Sequence, residues 1–170
     1  MGFFDYSWSI RDRILEDFKT TLYMLFFSAI FAGLFGLILG IIMVVTDRGR
    51  ILENKVIYSI LDKLTNIFRS IPFVILLALV APFTRFIVDT RIGPKAAIVP
   101  LVVSCVPFFA RQVEQALAEV DPGVIEAAEA MGKSPFEIIT SVYLREGLPN
   151  LIRAGSITLI SLLGLTAMAG

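Results

Sequence analysis

The sequence predicts an all-α, polytopic membrane bundle, and three observations predict it. Hydrophobic residues make up 56% of the chain and charged residues 18%, with a mean hydropathy of +0.82, a balance that soluble domains of this size do not show. The charges fall in clusters and leave long uncharged runs between them. The one long polar interruption, Asp121 to Pro149, is punctuated as two short helices. Fifteen basic and fifteen acidic residues cancel, so no global basic field argues for a nucleic-acid partner. Cys105 is the single cysteine, which excludes an internal disulfide. Without histidine a His-based catalytic constellation is excluded, and without histidine or a cysteine pair the usual ligand sets of a zinc site are missing. The chain reads as one membrane domain over residues 1–170, with no enzymatic site and no cofactor of its own.

Met1 to Lys19 mixes Trp8, Tyr6 and several phenylalanines with charges, a composition suited to a helix lying at the membrane interface. Spans follow at about 20–46, 65–84, 96–111 and 150–170. Thr20 to Thr46 carries no charge and, at about 1.5 Å per residue, more than crosses a hydrocarbon core of about 30 Å. This run is too long for a signal peptide and lacks a small-residue cleavage site. Ala32, Gly36 and Gly40 recur at every fourth position, a narrow groove for close packing inside the subunit.

The second span borrows residues from before Arg69, because the uncharged run from Arg69 to Arg85 is too short alone. Pro72 and Pro82 predict a kinked helix, and Arg69 reads as an arginine that snorkels to an interface. Gly93-Pro94 marks a turn before the third span, on which Pro100, Ser104, Pro107 and Arg111 share one face. On the last span Ala154, Thr158, Ser161, Leu165 and Met168 form a stripe. Small polar residues in such a stripe glue helices together. Thr158, Ser161 and Met168 are also the candidates for lining a path, with flexible Met168 among small neighbours narrowing it.

The polar stretch carries the sharpest signals. Asp121 caps a helix with Pro122 at its first position, and Gly132 stands where a helix needs a left-handed stop. Ser134, Pro135 and Glu137 start a second helix at once with a capping box. Val124, Ala127, Ala128 and Met131 are expected on one shallow face, with Glu126 and Glu129 beside it. Gly132-Lys133-Ser134 is no phosphate-binding loop: Ala127 occupies the place of the glycine required five residues earlier, and a helix precedes where a strand is needed.

Glu126-Ala127-Ala128, then Gly132, then a hydrophobic stretch ending near Leu148-Pro149, resembles the EAA loop of the permease subunits of bacterial ABC importers. That family usually has Leu-Pro where this chain has Leu144-Arg145. Asn66 to Leu117, reading NIFRSIPFVILL, PFTRFIV, AAIVPL and PFFARQVEQAL, is similar to its methionine-uptake branch. The resemblance implies a type I-like importer permease that pairs with itself and receives substrate from an extracytoplasmic binding lipoprotein. It also implies docking on a cytoplasmic ATPase, which holds the ATP and magnesium, through Glu126, Ala127, Ala128, Met131 and Gly132. The family continues past the fourth span through a glycine-rich loop and a further helix, so the chain reads as ending before a last helix.

Basic residues prefer the cytoplasm. Six of the Lys and Arg residues lie at the N-terminus and in the Arg85 to Lys95 loop, and nine lie in the other two loops. The count places the Asp121 to Pro149 loop in the cytoplasm of a bacterial cell whose inner-membrane lipid surrounds the spans. The alternatives are a permease for another polar amino acid or small solute, and a scaffold whose loop only recruits a soluble protein. A secondary transporter would need a driving-ion site, and no acid lies in any uncharged run.

Overall fold

The computed structural model describes residues 11–90 and 92–169. Tyr6 and Trp8 of the expected interfacial segment lie outside them, as does Arg91 of the basic-residue count. Arg11 to Lys19 forms no separate element; it continues directly into the first span as α1, Arg11–Thr46. Then come α2 (Lys55–Ser70), α3 (Phe73–Val88), α4 (Pro94–Ala118), α5 (Pro122–Ala130), α6 (Pro135–Ile138), a π-helical turn at Ile139–Tyr143, α7 (Leu144–Glu146) and α8 (Leu148–Ala169). Three of these, α1, α4 and α8, are long and apolar enough to cross a membrane. Among the described residues there is no strand.

The centre of the bundle is α4, against which α1, α2, α3 and α8 all pack. Its closeness to α1 comes from the small-residue stripe: Ser28, Ala32, Gly36 and Gly40 are all buried. A Cβ at Gly40 would meet the Ala110 carbonyl and the Val113 Cβ, both at 2.6 Å, so only glycine permits this approach of two backbones. The stripe is an internal seam, as its spacing indicated. Two apolar clusters fill the bundle. Met24, Ala32, Phe73, Leu101, Cys105 and Leu162 form one. The other lies at the far end, where Val44, Val45, Val113 and Leu117 meet the α5–α7 hairpin.

The second span is not a kinked helix. At Ser70–Pro72 the chain turns by 110°, dividing it into α2 and α3. The residue before a proline is pushed out of the helical region, and Ile71 is extended at φ −81°, ψ 121°. Pro82, the other expected kink site, stays inside α3. Being 16 residues long, α3 extends about 24 Å and does not cross a bilayer alone. The third span runs past its expected end at 111 to Ala118, and the fourth begins at Leu148.

The ends of these elements have local causes. The Asn54 side chain accepts from the Val56 and Ile57 amides, each at 3.1 Å, and starts α2. Asp89 ends α3 in the left-handed region at φ 63°, where Asp is among the tolerated residues. Pro94 at the first position of α4 has a φ already suited to a helix.

Candidate functional site

The hairpin between α4 and α8 is built from local hydrogen bonds. Asp121 accepts from the Gly123 amide at 2.8 Å and starts α5. At the other end the Gly132 amide donates to Glu129 at 2.9 Å and the Lys133 amide to Ala128 at 3.2 Å. With Gly132 at φ +76°, this is the Schellman stop that the sequence called for. Ser134 and Glu137 make the capping box: the Ser134 amide and hydroxyl donate to Glu137 Oε2, each at 2.7 Å. Those bonds hold the Glu137 carboxyl below its ordinary pKa. Lys133 Nζ donates to Ser141 Oγ at 2.9 Å and ties the turn to the π-helical segment.

What the hairpin shows to its surroundings differs from the expected face. Ala128 is 1% exposed and Ile125 6%, and both pack inward against the ends of α1 and α4. A buried Ala128 cannot belong to an exposed docking face, so the outer surface consists of Val124, Ala127, Met131 and Phe136. Met131 and Phe136 are 70% and 74% exposed. Glu126 and Glu129 are exposed on the same helix. Phe136 was missed because it lies on the second helix, whose phase relative to α5 is set by the Gly132 turn.

The hairpin is fixed to the bundle on its other side. Tyr143 is fully buried among Val120, Ile138 and Val142, and burial raises its phenol pKa above the ordinary value. A Cβ on Gly147 would lie 2.5 Å from Leu117, so α7 passes directly over the end of α4. Arg50, from the α1–α2 connection, donates to the Ala118 carbonyl at 3.1 Å. The hairpin and the α1–α2 connection therefore occupy one end of the bundle, and the α3–α4 turn, at the start of α4, occupies the other.

A second feature links α2 to α4. Arg111 donates to Glu114 at 2.7 Å, to Asn66 at 3.2 Å and to Asp62. Tyr58 donates to the other Glu114 oxygen at 3.0 Å. The cluster holds α2 along the C-terminal half of α4. The sequence carried a trace of it in Asp62 and Asn66, one turn apart, and in Arg111 and Glu114, three apart.

The proposed path residues separate. Thr158 is 7% exposed and its hydroxyl donates to the Ala154 carbonyl at 2.8 Å, so it packs in the seam of Ala154, Thr158, Leu162 and Thr166. Ser161 and Leu165, on the adjoining flank, line a cavity of about 410 Å³. Met168, one turn further along that flank, is 63% exposed.

Comparison with known proteins places these features. Residues 34–170 match the family described as the binding-protein-dependent transport system inner membrane component. A D-methionine transport system permease protein, MetI, of Yersinia pestis is 53% identical over 150 residues, covering 88% of this chain and 69% of the relative. That of Escherichia coli K12 is 51% identical over the same shares of both chains. A solved inward-facing conformation of the MetNI methionine ABC transporter superposes with a TM-score of 0.86 at 50% identity, covering 88% of this chain and 69% of that one. An amino acid ABC transporter crystallised with histidines shares the fold, with a TM-score of 0.68 at 20% identity over 88% of this chain and 66% of that one.

Proposed function

Because the chain belongs to the family of binding-protein-dependent transport inner-membrane components, we propose that it is the permease subunit of an ATP-driven importer of methionine or a closely related amino acid. The observation that carries the reading is about 50% identity, over most of this chain, to permeases named for D-methionine transport. The exposed apolar faces of α1, α3 and α8 supply a multi-pass surface for inner-membrane lipid.

Energy enters through a partner. Val124, Ala127, Met131 and Phe136 are exposed apolar side chains on a doubly capped hairpin that also exposes Glu126 and Glu129. We assign it to docking on a cytoplasmic ATPase, which holds ATP and magnesium. Glu126 contacts a basic or hydrogen-bonding group there, and Gly132 fixes the angle between the two helices. Since the inner side of the hairpin packs on Val113 and Leu117, a displacement of the ATPase reaches α4 directly. Alternating access then opens the path to a binding protein on the outer face, with a second copy of the permease completing the pathway.

The test is methionine uptake into proteoliposomes holding the permease, its ATPase and the binding protein, combined with capture of the ATPase by tagged permease. Glu126→Ala should weaken capture and lower uptake while the permease stays in the membrane. Unimpaired capture and uptake would reduce the hairpin to an ordinary connection between spans, and no uptake by the unaltered complex would sink the importer reading.

A further inference from the structure

The cavity that Ser161 lines opens beside the 110° break between α2 and α3. It has about 410 Å³, within the range of small-molecule sites. Its walls come from the break, from the middle of α4 and from the middle of α8: Arg69, Phe73, Ser104, Phe108 and Ser161 among them. Ser104 and Phe108 flank the midpoint of α4. Arg69 thus shares a cavity wall with residues from the middle of α4. Among the described residues it has no ion-pair or hydrogen-bond partner. Arg111, the other arginine on this side of α4, already has Asp62 and Glu114.

Arg69 is exposed where it lines the cavity, and an arginine in a membrane span that faces a wet cavity takes an anionic partner. No acid lines this cavity. The remaining walls suit a particular anion. Ser104 and Ser161 offer hydroxyls. Phe68, Phe73 and Phe108 offer aromatic surface, against which a thioether packs favourably. The cavity of about 500 Å³ between α1, α3 and the start of α4 has almost wholly apolar walls and only Lys95 as a charge, so it lacks this combination.

We propose that the cavity at the α2–α3 break binds an α-amino acid with an apolar side chain, Arg69 pairing with its carboxylate and the phenylalanines taking the side chain. The assignment rests on the amino-acid importer reading and names the place in this chain where substrate is held. The helix break is then a binding device: a continuous helix would cover the space that the turn at Pro72 leaves open.

The complex of permease, ATPase and binding protein in proteoliposomes is loaded with a diazirine analogue of methionine and irradiated, and the label is mapped by mass spectrometry. The expected result is label on the peptides containing Phe73 or Phe108, competed by excess methionine. Loss of a charge-assisted hydrogen bond predicts about tenfold or greater loss of that label in Arg69→Met, with partial recovery in Arg69→Lys. Ser161→Leu fills the cavity without touching the charge and should lose label similarly, so the test survives if Arg69→Met fails to assemble on gel filtration. Label confined to other helices overturns the inference, as does label within about twofold of the unaltered complex in the assembled variants. Methionine uptake with an unlabelled cavity overturns the inference alone; absent uptake overturns the importer reading and the inference with it.

Discussion

Gly40 is where a single methyl group should do the most harm. Its Cβ would stand 2.6 Å from both the Ala110 carbonyl oxygen and the Val113 Cβ, and each contact must lengthen by roughly 0.8 Å to become ordinary. Neither atom is the end of a flexible side chain, so the relief has to come from α1 and α4 moving apart, which loosens the largest seam in the bundle. Overpacking of this kind costs about 1–3 kcal/mol. Gly33 is the control, because a Cβ there meets nothing within 4 Å. Both Gly33→Ala and Gly40→Ala gain up to about 1 kcal/mol of helix propensity. That gain cancels between them and leaves a difference of about 1–3 kcal/mol. Gly36→Ala should fall between, since its nearest neighbour is the movable ring of Phe109 at 2.9 Å, although the Val106 carbonyl stands at 3.1 Å. Cys105, the single cysteine and 3% exposed, supplies the assay: a thiol-reactive dye reports denaturant unfolding of the permease in micelles. Equal midpoints for Gly33→Ala and Gly40→Ala would refute the close-packed seam.

Gly132→Val places a β-branched residue at φ +76°, at a cost of about 1–2 kcal/mol, and should halve or further reduce ATPase capture while membrane abundance is unchanged; normal capture would show that the turn angle is immaterial. Arg111→Met leaves Asp62 and Glu114 without their shared cation and should destabilise the permease by on the order of 3 kcal/mol, more than Asp62→Asn does, by the same dye assay. The hydrogen-exchange protection of Ser134 to Ile138, taken relative to the intrinsic exchange rate at each pH, should be flat from neutral to mildly acidic pH. Because the folded Glu137 carboxyl has a lowered pKa, its stabilising contribution is present above the ordinary carboxylate range and disappears as pH falls through the lowered value; in Glu137→Gln that acid dependence should vanish. With Cys105 replaced by serine, cysteines placed singly at Ser134 and Thr90 should react with impermeant reagent from opposite sides of the membrane, and labelling of both from outside intact cells would overturn the assigned sidedness.

The features legible in the sequence are those whose causes are local. Asp121 with Gly123, Gly132 with Glu129, and Ser134 with Glu137 are bonded within three residues of one another, so a few letters are enough to draw the hairpin. The glycine seam was legible because its period belongs to one helix. Features that depend on partners distant in the chain were not. Ser70-Ile71-Pro72 reads equally as a kink or a break, and what separates these is Phe73 finding its place beside Leu101 and Cys105 in another helix. Ala128 shares the spacing of Val124, Ala127 and Met131, yet the end of α4 claims it, because Ile125 and Ala128 are the pair that fits against Leu117 and Val120. The length of α4 was missed because Arg111 looked like the end of a span, whereas α2 supplies it with Asp62, a partner 49 residues away. Arg69 is the reverse case. Its sequence neighbours read as one continuous span, and only the 110° turn after it sets it on the wall of a cavity shared with α4 and α8.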